Sequence, residues 1–153
     1  MGYLQNAKPG IGAVGEYQAA GRPWVRLVTV PAGADLTNTS AVANVNEFKV
    51  EFPAVTRRVI VRNTSAGTAN VHFASLTTTD DGAAAAGNNS AVKKGKNYIQ
   101  LTTGKEISLD IKCRFIFLSK VGADPINVEV IAELTNIQEP YDLNKRGLEG
   151  ITK

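Results

Sequence analysis

INVEVIAEL (residues 126–134) sets Ile126, Val128, Val130, Ala132 and Leu134 on one side of an extended chain and Asn127, Glu129 and Glu133 on the other. A period of two is the mark of a strand with one face toward a core and one toward water, the usual state of an antiparallel sheet. KEISLDIK (105–112) repeats it, with Ile107, Leu109 and Ile111 opposite Glu106, Ser108, Asp110 and Lys112. FKVEF (48–52) does so again, with Phe48, Val50 and Phe52 opposite Lys49 and Glu51.

Five further segments read as strands with a less regular alternation: WVRLVTV (24–30), TRRVIVRN (56–63), NVHFASL (70–76), NYIQLT (97–102) and RFIFLS (114–119). RFIFLS is apolar on both faces, which points to a strand buried on both sides or placed at an interface, with surplus apolar surface. Short connectors separate the strands. Asn63–Gly67 carries a glycine suited to positive φ, Thr102–Gly104 reads as a tight turn between two strands, and Val121–Pro125 divides the last two strands. The fold expected is all-β: a single β-sandwich, jelly-roll-like, of about eight antiparallel strands. A seven-stranded immunoglobulin-like sandwich is the alternative, without the Cys–Trp–Cys hallmark of true immunoglobulin domains.

Around this body (24–136) the chain changes character. Residues 1–23 contain Gly2, Gly10, Gly12, Gly15, Gly21, Pro9 and Pro23, spacing that destroys both the helical and the strand period. The same segment carries Tyr3, Leu4, Ile11, Val14 and Tyr17, more apolar groups than a solvated linker needs. It reads as an extended N-terminal arm, able to span roughly 75 Å, that packs on its own body or on a neighbouring chain. Residues 77–96 read as a long surface loop. Residues 137–153 form a C-terminal tail with Tyr141, Leu143, Leu148 and Ile151 as docking groups and a possible short helical turn from Asp142.

Composition sets bounds. The chain has 153 residues, 43% of them hydrophobic and 20% charged, with a net charge of +3, which fits one globular domain. Seventeen basic against fourteen acidic side chains is too even a balance to imply nucleic-acid binding. No apolar run reaches the roughly 18 residues of a membrane helix, and the first residues do not read as a signal peptide. A single Cys excludes an internal disulfide and a cysteine-cluster metal site.

The residues that carry chemistry elsewhere are isolated here. His72 lies with Asn70 and Ala74 on alternation, without a hydrolase signature around it, and reads as structural or surface. Cys113 reads as a small packing residue between two strands. Asp80-Asp81-Gly82 lacks the remaining oxygen ligands of a calcium loop. Gly10-Ile11-Gly12-Ala13-Val14-Gly15 spells a dinucleotide fingerprint but follows Lys8-Pro9 instead of a strand, and too few residues follow for the helix. Alternation sends Arg58 and Arg62 to one face and Arg57 to the other, for salt bridges to a neighbouring subunit or for solubility. The expectation is a protein that is not an enzyme and has no cofactor, metal or catalytic residue.

Read together, MGYLQNAKPGIGAVGEYQAAGRPW, FPAVTRRVIVRNTS, VHFAS, IKCRFIFLS, AELTNI and YDLNKRGLEGIT resemble small virion structural proteins of tailed bacteriophages, of the head decoration (cement) type. The resemblance runs over nearly the full length, with the Ala/Gly/Asn-rich loop at 80–91 reading as an insertion. It implies a jelly-roll or related sandwich, often a homotrimer, made in the host cytoplasm and seated on the capsid surface. Its partners would be the major capsid protein and itself, with no nucleic acid and no membrane. The expected capsid or subunit contacts are Tyr3, Leu4, Ile11, Val14, Tyr17, Trp24, Phe115, Phe117 and Tyr141. The alternatives are another virion part (collar, tail or baseplate) and a displayed carbohydrate-binding module for host attachment.

Overall fold

The computed structural model describes residues 23–34, 36, 46–76, 92 and 96–135. They contain eight strands: β1 (Pro23–Val30), β2 (Glu47–Glu51), β3 (Thr56–Asn63), β4 (Ala69–His72), β5 (Ile99–Leu101), β6 (Glu106–Leu109), β7 (Phe115–Ser119) and β8 (Ile126–Leu134). Two antiparallel sheets of four result, sheet A in the order β1-β8-β3-β6 and sheet B in the order β2-β7-β4-β5. Apart from the β4–β5 neighbours, each strand is followed by one in the opposite sheet. This is the order of a jelly roll, two Greek keys wrapped into a sandwich.

The inward face of each strand is the apolar one. Val28 and Val30, Val59 and Val61, and Val128, Val130 and Ala132 come from sheet A; Val50, Val71, Ile116 and Leu118 come from sheet B. Phe52, just past β2, is fully buried and meets Trp24 edge-on at 5.2 Å between ring centroids. Aromatic pairs favour this arrangement because a positive ring edge meets a negative face.

The two ends of β3 carry its buried polar residues, and the first departs from simple alternation. Thr56 pairs with Leu134 but Arg58 pairs with Glu133, so Arg57 is the extra residue of a β-bulge. The bulge buries Thr56 and leaves Arg57 exposed, where an unbroken period would have turned it to the side of Val59. Asn63, at the other end, is buried and anchors the following turn: its Nδ2 donates to Gly67 O and Leu101 O, and its Oδ1 accepts from Ser65 N.

A second cluster, Ala34, Leu36, Leu76 and Val92 with Ala74 and Tyr98 against it, is tied to sheet B. Leu76 N donates to Glu47 at the start of β2, and Ala34 N donates to Lys120 O just past β7. The expected arm and tail lie outside the described residues, as do Asp80-Asp81-Gly82 and the Gly10–Gly15 motif.

Candidate functional site

The outward side chains of sheet A form rows fixed by register. Val25 lies across from Ile131, Ile131 from Ile60, and Ile60 from Ser108. The next row runs Leu27, Glu129, Arg62, Glu106, and the row on the other side runs Pro23, Glu133, Arg58. Val25 and Leu27 are 61% and 64% exposed, the most exposed large hydrophobic residues among those described. Both stand on β1, an edge strand.

Arg58 and Arg62 of β3 are each held between two carboxylates, one from β8 and one from β6 or the residue after it. Arg58 Nε donates to Asp110 Oδ1 at 2.6 Å, with Glu133 Oε1 3.7 Å from Nη1. Arg62 Nη2 lies 2.6 Å from Glu106 Oε2 and Nη1 3.2 Å from Glu129 Oε2. The hydrogen bond and the charge of Arg58 hold the Asp110 carboxyl below the usual carboxylate range. Four carboxylates stand against these two guanidiniums and that of Arg57, whose charge also acts on Asp110, so the acids exceed the arginines here by one in a chain of charge +3. The bridges expected from Arg58 and Arg62 to a neighbouring subunit are therefore made within the chain, because β6 and β8 flank β3 and bring acids to its outward side.

The opposite side of the sandwich is different. Asn70 and His72 on β4 and Phe115, Phe117 and Ser119 on β7 point away from the core, yet all are buried. His72 Nδ1 lies 2.7 Å from Ala74 O. A carbonyl only accepts, so Nδ1 carries the proton and Nε2 accepts from Ser119 Oγ at 3.0 Å. Glu47 Oε2 is 3.9 Å from Nδ1, and its carboxylate accepts from Ser75 Oγ and Leu76 N. Phe117 stacks on the imidazole with ring centroids 5.7 Å apart. Burial lowers the His72 pKa to about 4, so the ring is neutral at pH 7.

The fold thus brings to His72 a serine and an acid from strands distant in sequence. Serine to Nε2 is the hydrogen-bond order of a nucleophile and its base. Both residues are 0% exposed, however, so no substrate atom reaches Ser119 Oγ in this structure. The cluster works as a polar knot fastening β4 to β7 and β2.

Cys113 is buried, with its thiol pushed up to about 11 by burial, and is inert as a nucleophile. Among the described residues no group of His, Cys, Asp and Glu is placed to hold a metal ion.

Of the residues singled out as contacts, Tyr3, Leu4, Ile11, Val14, Tyr17 and Tyr141 lie outside the described residues. Trp24 packs inward on Phe52. Phe115 and Phe117 are only 6% and 8% exposed, the former also covered by Lys49 Nζ at 4.3 Å from its ring centre. RFIFLS therefore offers no surplus apolar surface; its second face is covered within the chain. Sequence reading missed Val25 and Leu27, which share one side of WVRLVTV with Thr29.

No family model and no curated protein matches the chain. A solved structure described by the words "Bacillus endospore appendages form a novel family of disulfide-linked pili" is similar over 76% of this chain and 95% of its own, at 12% identity and a TM-score of 0.31. A likeness of that size carries no argument about this protein.

Proposed function

We propose that the chain is a non-enzymatic structural protein of a phage virion, a decoration protein that binds the outer surface of the capsid and stabilises it by bridging neighbouring subunits. The observation that carries the reading is a contrast between two faces. The sandwich seals its polar knot from solvent, and it exposes Val25 and Leu27 on an edge strand directly after the segment 1–22. A cement protein needs a rigid body and an adhesive margin, and the apolar-dotted sequence of 1–22 suits it to bridging. The resemblance of the whole sequence to head decoration proteins supports the same reading. Its partners are the major capsid protein and further copies of itself, as a homotrimer on the capsid surface. Repetition of weak contacts over a shell raises the total binding well above that of one contact.

Quantitative mass spectrometry of purified particles tests this. A copy number equal to that of the shell protein, or a simple lattice fraction of it, is expected. A handful of copies per particle would move the protein to the tail or collar. Its absence from particles would end the virion reading.

A further inference from the structure

We propose that Asn70 holds the second position of a proton switch: when His72 takes up a proton, the Ser119 hydroxyl turns from the imidazole to Asn70 Oδ1, and the sealed knot accepts the charge without losing a hydrogen bond. The proposal stands on the geometry of sheet B and is independent of any virion role.

Register sets three polar side chains in one outward row of sheet B. Glu47 on β2 lies across from Ser119 on β7, and Ser119 across from Asn70 on β4. Residues directly opposite in an antiparallel pair keep their Cβ atoms about 5 Å apart, close enough for short polar side chains to meet. Asn70 is 2% exposed, and its Oδ1 has no hydrogen-bond partner. Turning the amide over does not remove this orphan. Its Nδ2 donates to Ser119 O, and in the reversed sense two carbonyl oxygens would face each other. A buried acceptor left unpaired is costly and rare.

A count of protons accounts for it. Neutral His72 spends its one N–H on Ala74 O, and the single Ser119 hydroxyl proton goes to Nε2. None remains for Asn70. One more proton changes the count. Placed on Nε2, it donates to Ser119 Oγ, which then accepts instead of donating. The serine proton leaves Nε2, and the open acceptor across the strand pair is Asn70 Oδ1. One proton enters from water, none leaves, and every donor in the set has an acceptor. The motion is small. A hydroxyl turns on its C–O bond, and the amide tilts about a soft χ2, its Nδ2 bond being long at 3.4 Å.

Other groups also face the ring. From β2 come Glu47, 3.9 Å from Nδ1, then Lys49 across from Phe117 and Glu51 across from Phe115. From β7 come Phe117 and Ser119. β5 brings Gln100 across from Asn70, with Tyr98 just before the strand. Glu47 favours the charged ring through its own charge, while its carboxylate is engaged by Ser75 Oγ and Leu76 N. Asn70 Oδ1 is unengaged and favours the charged ring by taking the serine proton.

His72 is the one histidine of the chain, so its ring signals are unambiguous. Nitrogen-15 NMR of the intact protein reads charged and neutral imidazole directly. Asn70→Ala should lower the ratio of charged to neutral ring at about pH 4.5 at least fivefold. Asn70→Thr, whose hydroxyl accepts, should restore most of it. In a Ser119→Ala background, Asn70→Ala should change the ratio less than twofold, because no serine proton remains to be placed. In the unsubstituted protein the Asn70 Cγ resonance should move with the midpoint of the His72 titration. An unchanged ratio in Asn70→Ala would overturn the proposal, as would an undiminished effect in the Ser119→Ala background. So would an Asn70 Cγ signal that stays fixed while His72 titrates, a reading that needs no variant and stands even where a substitution disturbs folding.

Discussion

Ser119 on β7 donates a hydrogen bond to His72 on β4 across 3.0 Å, and both side chains are sealed from water. That bond exists only while the imidazole is neutral. Burial lowers the His72 pKa from 6.5 to about 4, against a smaller opposing effect of the Ala74 carbonyl. In the unfolded chain the ring protonates near its ordinary value, so between those two values the unfolded state binds more protons. Stability is unaffected above pH 6.5, falls as pH drops toward 4, and levels off below it; the loss across the window is about 3 kcal/mol. Urea unfolding at a series of pH values should show this slope, and His72→Gln should remove it.

Thr56, turned inward by the bulge, ties the segment before β7 to β3. Its hydroxyl donates to Ile111 O at 2.8 Å and accepts from Cys113 N at 3.0 Å. Thr56→Val keeps the shape but leaves a buried amide unpaired, a cost of about 1–3 kcal/mol. Chemical denaturation should report that loss. In the native protein Cys113 should resist a thiol reagent until unfolding exposes it, and Thr56→Val should speed the reaction by raising the open population.

On the outward face of sheet A, Asp110 keeps its charge to lower pH because Arg58 bonds to it. Carbon-detected NMR titration should find the Asp110 carboxyl among the most acidic in the chain, and Arg58→Ala should return it toward the ordinary value. Global stability should hardly change, because the pair is exposed to solvent and screened by salt. A large fall in stability would mean that the arginine rows hold the sheet together rather than shape its surface charge.

Gly67 adopts φ +105, and a Cβ there would lie 3.1 Å from Lys120 Cε. Gly67→Ala therefore meets backbone strain before any clash, since a flexible lysine can withdraw. The expected cost is about 1–2 kcal/mol, read as a lower midpoint of thermal unfolding.

The strands were legible because burial on one face writes itself as alternation. INVEVIAEL and TRRVIVRN appear as strands over the very residues read from sequence, and the glycines at 67, 104 and 122 take the positive φ their turns require. The second face of β7 was only half legible. Phe115 and Phe117 signalled burial, but whether by the chain or by a partner depends on segments far away in sequence. The surroundings of His72 were not legible at all: Ser119 lies 47 residues away and Glu47 lies in another strand. Arg57 was misplaced because a bulge adds a residue without a signature of its own. Arg58 and Arg62 showed their common face by spacing, but their partners came from strand order, which local pattern does not contain.

In sheet A the last of the described strands, β8, sits between β1 and β3, with Pro23 paired to Glu133. On the ribosome β1 is therefore made long before its neighbour exists, and β3 lacks one of its two. Long-range pairing of this kind folds slowly, and a partial chain has no sandwich to close. A product truncated before residue 126 has nothing to hold β1 in place and is left to proteolysis. Completion of β8 thus acts as a checkpoint: a body that lacks it does not close.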